Sequence, residues 1–271
     1  MNLPVVALRD ETELRRIAEH LPHALLIIAE EGLESEQVLE WLAVHRPSEL
    51  IHIVPLEKKT TISVEQIRDL QQSVRTQPTT RRVIIIAEAQ LMTEAASNAL
   101  LKLLEEPGQG THFILATPDE ELLLPTIRSR CQSLTLHRTT PAQDTMLLAK
   151  SVLTDAEKQQ LLFLAAGRPR LIRELSRQPK RFAEYRQFAT DAKQLLGGGD
   201  TYATLCTLHG YMNDRQKALR LIDVLVHMIR FQMTANGCDE RVLALLERAE
   251  QAETALKGNG NVRLALLQLI G

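Results

Sequence analysis

Residues 83–131 constrain the fold of this chain more than any other stretch. They run from an apolar segment, Val83–Ala87, through a helix-like segment, Thr93–Glu106, to a second apolar segment, His112–Thr117. Short, continuous apolar runs are typical of strands buried on both faces of a parallel sheet, where a helix connects neighbouring strands. This order of elements predicts a nucleotide-handling α/β core with a mostly parallel sheet.

The pattern of apolar runs divides the 271 residues into an α/β part and a helical part. Further strands are predicted at Ala24–Ala29, Ile51–Val54 and Leu134–Leu136, and a helix over residues 10–20 with Asp10 placed to cap its start. After the last of these strands no strand pattern recurs. Helical spacing then covers 141–151, 154–166, 201–212, 214–235, 238–255 and 261–270, with a glycine-rich break at Gly197–Asp200. A chain of this length and order fits two or three domains.

Composition argues against several classes of function. Net charge is −2 and aromatic residues make up only 3% of the chain, so neither a basic nucleic-acid footprint nor a set of base-stacking platforms is indicated. No apolar run is long enough to cross a membrane, and the charged residues Arg9, Asp10 and Glu11 leave no room for a signal-peptide core. We therefore expect a cytoplasmic protein without a membrane partner.

The three cysteines, Cys131, Cys206 and Cys238, are odd in number and far apart. This spacing favours neither a disulfide framework nor a tetrahedral zinc site. The eight histidines are scattered and form no H-E-x-x-H motif, so each is better explained as a surface or core side chain than as a ligand. No metal site is predicted.

Residues 30–36 lie between a predicted strand and a predicted helix, where nucleotide-binding proteins have their phosphate-binding loop. Such a loop needs glycines, whose backbone N–H groups surround the anion, and a lysine that meets its charge. Here only Gly32 fits, and Ser35 stands in the place of the lysine. A carboxylate ~4 Å from a phosphate costs on the order of 4 kcal/mol at an effective dielectric of about 20. The four glutamates Glu30, Glu31, Glu34 and Glu36 are therefore better explained as an acidic helix start stabilised by the helix dipole.

Two further positions correspond to parts of a nucleotide site. In a working ATPase, the end of the central strand carries one carboxylate for Mg²⁺ and one that polarises water. Here the pair is Ala87 and Glu88, so the magnesium carboxylate is absent, and Glu88 is interpreted as a relic or an ordinary helix-start acid rather than a catalytic group. Thr117, at the end of the next strand, stands where such a core places a polar residue against a γ-phosphate.

The stretch Thr93–Pro107, with the sequence TEAASNALLKLLEEP, resembles the helix that follows the Walker B strand in bacterial clamp-loader subunits of the AAA+ superfamily. The triplet Ser129-Arg130-Cys131 follows at the expected distance and resembles the SRC motif of that family. Shorter similarities occur at Pro22–Leu26, Ile62–Arg68 and Gly167–Arg170, of which the last resembles the sensor-2 turn. The resemblance covers about residues 10–175.

The resemblance implies an AAA+ RecA-like α/β core over residues 1–138, a small helical lid over 139–190 and a C-terminal all-helical collar over 191–271. It also assigns Gly32 and Ser35 to a degenerate phosphate loop, Glu88 to a Walker B relic, Thr117 to sensor 1 and Arg170 to sensor 2. Many relatives carry a four-cysteine zinc module between the first helix and the second strand. Residues 44–50 contain no cysteine, so zinc is not expected here.

In this family the SRC arginine reaches into the ATP site of a neighbouring subunit. The resemblance therefore implies that Arg130 acts as an arginine finger in trans, with Ser129 and Cys131 completing the motif. It further implies a non-catalytic member of a hetero-pentameric loader that binds no cofactor of its own, while ATP and Mg²⁺ are bound by the partner ATPase subunits. The other implied partners are the delta subunit of DNA polymerase III and, through the complex, the sliding clamp and primer–template DNA. Three alternatives stay open: an active AAA+ ATPase with an atypical loop, a stand-alone scaffold, and a structural role for Arg130 as a helix cap.

Overall fold

The structure, a computed structural model, describes residues 3–45, 48–57, 59–74, 81–198, 200–237, 239–258 and 260–270. The chain divides into two compact units. The first contains Met1–Lys150 and Gly167–Arg173, and the second contains Ser151–Ala166 and Glu174–Gly271. The finer division into a core, a lid and a collar at residues 138 and 190 stays a prediction.

The first unit is built on a five-stranded sheet with the strand order β2-β3-β4-β1-β5. Each strand pairs with its neighbours in parallel, so the carboxyl ends of the strands lie at one edge of the sheet. The strands are β1 (Ala24–Ile28), β2 (Ser48–Ile53), β3 (Arg81–Ile86), β4 (Thr111–Thr117) and β5 (Gln132–Thr135). The predicted parallel α/β core is confirmed, and each of the predicted strands is present within a few residues.

Helices cover both faces of this sheet because side chains alternate along each buried strand. Leu25 and Ile27 of β1 pack into one apolar cluster, whereas Leu26 packs into a second cluster on the other face. The first cluster contains residues of α1 (Leu8–Glu19) and α2 (Ser35–Val44), and the second contains residues of α3 (Val64–Ser73), α4 (Glu94–Glu105) and α5 (Pro125–Arg128).

Two of the predicted helix caps, at the starts of α3 and α4, are present in the structure. Ser63 and Gln66 form the predicted capping box of α3, in which the Ser63 N–H donates to Gln66 Oε1 at 3.1 Å. Thr93 caps α4 by accepting a hydrogen bond from the Ala96 N–H at 3.2 Å, also as predicted.

The prediction that Asp10 caps the first helix is wrong. The helix begins at Leu8, and Asp10 lies inside it with its side chain buried. Its carboxylate instead accepts hydrogen bonds from the backbone N–H and Nδ1 of His137, each at 2.7 Å. A partner 127 residues away in sequence satisfies the carboxylate, and local pattern reasoning does not detect such a contact.

The remaining helices confirm the all-helical pattern predicted after the sheet. They are α6 (Pro141–Leu147), α7 (Asp155–Ala165), α8 (Pro169–Arg177), α9 (Pro179–Gly197), α10 (Thr201–His209), α11 (Arg215–Asn236), α12 (Glu240–Lys257) and α13 (Val262–Leu267). In the second unit α11 packs between α9 and α12, and Leu221, Ile222 and Leu225 are fully buried there. The predicted break at Gly197–Asp200 includes Gly199, which lies outside the described residues. Within the described ranges, no helix has the length and apolar character needed to cross a bilayer.

Candidate functional site

The carboxyl ends of β1, β3 and β4 bring three predicted site segments to one edge of the sheet. Ile28, the last residue of β1, pairs with Thr117, the last residue of β4. Thr117 is buried, and its hydroxyl donates to the carbonyl of Asp119 at 2.8 Å, which closes a local turn. Glu88 follows β3 and is exposed to solvent ahead of a 3₁₀ turn. Residues 30–36, Glu88 and Thr117 therefore lie at the carboxyl ends of the strands, and their roles in a nucleotide site stay predictions.

Residues 30–36, which we call the acidic loop, follow β1 and lead into α2. Glu30 forms a two-pronged ion pair with Arg138, whose Nε donates to Oε2 at 2.9 Å and whose Nη2 donates to Oε1. The Nη1 of Arg168 lies 4.0 Å from the same Oε1. Arg168 is only 4% exposed, so this charge is held away from water beside the loop.

The two other paired glutamates of the acidic loop contact arginines at the start of α8. Arg170 Nη1 donates to Glu36 Oε1 at 2.9 Å, and Arg173 Nη1 donates to Glu34 Oε1. Glu34 is 2% exposed, and this burial raises the pKa of its carboxyl group, an effect that Arg173 and Arg170 partly offset. Three of the four glutamates of the acidic loop, Glu30, Glu34 and Glu36, are thus each paired with a guanidinium. We call Arg138, Arg168, Arg170 and Arg173 the arginine cluster.

Backbone contacts hold the acidic loop against the start of α8. The carbonyl of Gly32 accepts hydrogen bonds from the backbone N–H groups of Arg170 at 3.0 Å and Leu171 at 3.3 Å. Gly32 has φ +93°, and a Cβ added there would lie 3.2 Å from side-chain carbons of Arg168. Glycine is therefore required at this position for the close approach of α8 and not only for the backbone turn. Ser35, the residue in the place of a phosphate-loop lysine, is the first residue of α2.

The predicted finger residue, Arg130, lies on a short segment that follows α5. Its backbone N–H donates to Ile127 O at 3.0 Å, and the N–H of Cys131 donates to Arg128 O at 3.2 Å, so the segment continues the turn of α5. Ser129 tightens the same turn, because its hydroxyl donates to Thr126 O at 3.1 Å.

The guanidinium of Arg130 is partly exposed and well oriented. Its Nε and Nη2 donate to Oε1 of Glu105, the last residue of α4, at 2.8 and 2.5 Å. Its Nη1 donates to Thr126 O at 3.0 Å. The side chain of Arg130 remains 35% exposed and that of Glu105 49%. The segment therefore presents a fixed positive charge at the surface of the first unit.

Cys131 anchors this segment to the protein interior. It packs against the apolar cluster beneath α4 and α5, and burial raises the pKa of its thiol to about 11. A thiol with such a pKa is almost fully protonated near neutral pH and is therefore a weak nucleophile. In the SRC triplet the cysteine acts as a small apolar side chain.

Sheet topology separates Arg130 from the acidic loop. β1 and β5 run parallel, with Leu25 opposite Gln132 and Ile28 opposite Thr135. The acidic loop follows the carboxyl end of β1, whereas Arg130 precedes the amino end of β5. The three steps from Gln132 to Thr135 alone span about 10 Å. Arg130 thus lies at the amino ends of the strands, and the acidic loop lies at their carboxyl ends, on the opposite side of the sheet.

Several residues that shape these two regions were missed by sequence reasoning. Arg138 and Arg173 pair with glutamates more than 100 residues away, and no local pattern indicates such pairs. Glu105 lies within the stretch 93–107 that resembles the clamp-loader helix. It is exposed at the end of α4, and its contact with Arg130 could not be read from helical periodicity.

Within the described ranges, no three side chains of histidine, cysteine, aspartate or glutamate gather in a way that could hold a metal ion. Cys131 is partly buried and Cys206 is exposed, whereas Cys238 lies outside the described residues. The absence of a bound metal stays a prediction for the whole chain.

Comparison with known proteins identifies the chain's relatives. Residues 44–140 match the family model described as DNA polymerase III, delta subunit. DNA polymerase III subunit delta' of Haemophilus influenzae is 32% identical over 180 residues, which cover 56% of this chain and 54% of that protein. Subunit delta' of Escherichia coli is 35% identical over 123 residues, 43% of this chain and 36% of that protein. The E. coli subunit tau is 30% identical over 204 residues, 73% of this chain and 29% of that protein.

Solved structures extend the likeness over nearly the full chain. A gamma subunit-related protein of DNA polymerase III from Thermotoga maritima superposes with a TM-score of 0.52 at 20% identity, covering 96% of this chain and 97% of that one. The RuvB Holliday junction branch migration motor of the same organism gives a TM-score of 0.52 at 15% identity, covering 97% and 87%. At such identities the likeness shows the fold alone, and the predicted AAA+ fold is confirmed.

The matches cover only part of each relative. The chain spans about half the length of the Haemophilus relative and about a third of the E. coli one. A family-model match that includes the SRC triplet, together with delta-prime relatives at 32 and 35% identity, agrees with the family resemblance of the motifs. These partial matches support a resemblance of the chain to DNA polymerase III delta-prime subunits.

Proposed function

We propose that this chain is a non-catalytic subunit of a clamp-loader complex and that it supplies Arg130 to ATP bound by a neighbouring subunit. The observation that carries the proposal is the position of Arg130 at the edge of the sheet opposite the acidic loop. A guanidinium there is too far from the chain's own loop to act on a nucleotide bound at it. It is, however, partly exposed, so that another subunit could contact it.

The chemistry of the guanidinium suits this role. Arginine is always charged near neutral pH and presents a rigid fork of N–H donors, which matches the oxygens of a γ-phosphate that is being transferred. An arginine finger supplied in trans accelerates such reactions by roughly 10³–10⁵. The bonds from Arg130 to Glu105 and Thr126 hold the fork in one orientation before any partner binds.

The acidic loop supports the second half of the proposal, that the chain binds no nucleotide itself. A triphosphate at the loop would meet four carboxylates, of which Glu34 is buried. The arginines that could have offset those charges already pair with the loop's own glutamates. ATP and Mg²⁺ would accordingly be bound by partner subunits only.

The names of the relatives suggest the partners. Tau and gamma/tau subunits of DNA polymerase III occur among the matched proteins, and we propose ATPase subunits of that kind as the neighbours that receive Arg130. The complete assembly would be a cytoplasmic hetero-pentamer that also contains a delta subunit. It would place the sliding clamp on primer–template DNA.

The finger role is tested by reconstituting the complex with Arg130→Ala and measuring DNA-stimulated ATP hydrolysis. We expect kcat to fall by at least about tenfold, a small part of the range known for arginine fingers. Arg128→Ala is the matched control, because Arg128 is on the same segment and pairs with Glu121 at 3.1 Å instead of Glu105. Unchanged turnover with Arg130→Ala would refute the finger role.

Two further measurements separate the alternatives. Isothermal titration of ATP into the purified chain should give no heat of binding, and micromolar binding together with hydrolysis would identify an active ATPase instead. Light scattering of the chain with and without the partner ATPase subunits tests assembly. Co-elution in one complex supports the loader, and a persistent monomer supports a stand-alone scaffold.

A further inference from the structure

In the contact between the acidic loop and residues 167–173, carboxylates of the loop pair with guanidinium groups. Glu30, Glu34 and Glu36 each contact a guanidinium of the arginine cluster. The carbonyl of Gly32 accepts two backbone hydrogen bonds from the start of α8. All of these groups belong to the first unit, so the contact is a property of that unit alone.

An arginine cluster of this kind needs an anion. Guanidinium groups stay charged at any pH at which the protein is folded, so four of them around one loop repel one another unless negative charge lies between them. At ~4 Å and an effective dielectric of about 20, two like charges repel by about 4 kcal/mol. Guanidinium forks and the N–H groups at a helix start are the donors that bind phosphate groups in many nucleotide-binding proteins.

In this chain the carboxylates of the acidic loop supply the negative charge that lies between these arginines. Glu34 and Arg168 are 2% and 4% exposed, so solvent and salt weaken the pairs Glu34–Arg173 and Glu30–Arg168 less than they weaken the more exposed pair Glu36–Arg170. The N–H groups of Arg170 and Leu171, at the start of α8, donate to the carbonyl of Gly32.

We propose that Glu30, Glu34 and Glu36 act as an internal anionic ligand, which keeps residues 167–173 closed on the acidic loop in the absence of a nucleotide. The three carboxylates take the place that the phosphates of a nucleoside triphosphate would occupy among the same donors. This segment then stays closed whether or not ATP is present. The inference does not depend on the role of Arg130 in a complex.

The test follows hydrogen exchange at the N–H groups of Arg170 and Leu171, which are protected only while the segment is closed. In the triple variant Glu30→Gln/Glu34→Gln/Glu36→Gln the side chains keep their shape and oxygen acceptors but lose their charge. We expect these amides to exchange at least about tenfold faster, because removing one member of a buried ion pair is strongly destabilising. The wild-type chain should show the same protection with and without millimolar ATP.

The control is Glu31→Gln/Glu40→Gln/Glu57→Gln, which changes the net charge by the same amount at three exposed glutamates of the first unit. In this control variant, hydrogen exchange at the N–H groups of Arg170 and Leu171 should stay at the wild-type rate. Equal rates in both triple variants would overturn the proposal.

A second arm tests whether the carboxylates stand in for phosphate. Sodium tripolyphosphate, compared with sodium chloride at matched ionic strength, should restore protection in the Glu30→Gln/Glu34→Gln/Glu36→Gln variant and leave the wild type unchanged. Lack of restoration, or added protection of the wild type, would contradict the proposal. If the triple variant does not fold by circular dichroism, the single variant Glu36→Gln replaces it, since this carboxylate is the most exposed of the three.

Discussion

Arg130 donates hydrogen bonds from Nε and Nη2 to a single carboxylate oxygen of Glu105. The pair joins the end of α4 to the segment after α5, and both side chains remain partly exposed. We therefore expect this ion pair to affect the stability of the fold and the activity of a complex by different amounts. Surface ion pairs contribute about 0–1 kcal/mol to folding, whereas the orientation of a catalytic guanidinium can affect a reaction far more.

Glu105→Ala should lower the free energy of unfolding by less than about 1 kcal/mol. If Arg130 serves as a finger, the same change should lower kcat of the reconstituted complex, because the fork loses its fixed orientation. The double variant Glu105→Ala/Arg130→Ala should be no slower than Arg130→Ala alone, since Glu105 acts through Arg130. Glu121→Ala, which removes the partner of Arg128, is the control and should leave kcat unchanged. Additive losses in the double variant would show that Glu105 acts independently.

Gly32→Ala should destabilise the first unit by about 1–3 kcal/mol, because a side chain rarely adopts φ +93° and its Cβ would press on Arg168. Gly197→Ala is the matched control. Gly197 ends α9 with no atom within 4 Å of an added Cβ, so alanine there should be neutral or stabilising by up to about 1 kcal/mol. Urea denaturation of the two variants compares these effects, and equal stabilities would contradict the close approach of α8 to Gly32.

His112 should make the folded state sensitive to mild acid. Burial lowers the pKa of its imidazole below the ordinary 6.5, and Nδ1 lies 2.8 Å from Pro22 O, a contact that requires a proton on Nδ1. Below pH 6.5 the unfolded chain gains a proton that the folded chain does not take up until its lower pKa is reached. The free energy of unfolding should therefore fall as the pH drops from 6.5 through that pKa.

His112→Gln should reduce this slope between pH 6.5 and 5, since an amide can still donate to Pro22 O but does not titrate. His52→Gln, at an exposed position of β2, should keep the wild-type slope. The measurement is the urea midpoint at several pH values, and identical slopes in all three proteins would exclude His112 as the source.

Cys131 should react far more slowly than Cys206. With a thiol pKa of about 11, only on the order of one molecule in a thousand carries the thiolate at pH 8, and the group is also partly buried. Cys206 is exposed. Labelling with iodoacetamide in a Cys238→Ser background, followed by peptide mapping, should show early modification of Cys206 and modification of Cys131 only after denaturation. Equal labelling rates would mean that the SRC segment opens readily.

Phe113→Ala should destabilise the first unit by about 3–5 kcal/mol, because this side chain is fully buried in the central strand β4 and leaves a cavity. Leu122→Ala, at a position 42% exposed, should cost less than about 1 kcal/mol. Trp41 is the chain's only tryptophan and is buried in the first unit, so its fluorescence reports the unfolding of that unit. A small effect of Phe113→Ala would indicate that neighbouring helices collapse into the space.

Local patterns in the sequence determined the elements of this protein and much of its fold. Continuous apolar runs predicted the buried strands, helical spacing predicted the segments after β5, and Ser63 and Thr93 marked two helix starts correctly. These features depend on neighbouring residues, so one sequence is enough to recognise them. The same is true of the SRC triplet and of the surplus of glutamate in the acidic loop.

Only the tertiary structure decided what those charges do. The sequence led us to predict that Glu34 and Glu36 disfavour phosphate binding, but it did not indicate that Arg173 and Arg170 pair with them from more than 130 residues away. It marked Arg130 as a candidate, but the parallel register of β1 and β5 placed that residue at the edge opposite the acidic loop. The physical reason is the same in both cases: charges and hydrogen-bond donors find partners through space, and the sheet order that brings distant segments together is not written in any local pattern.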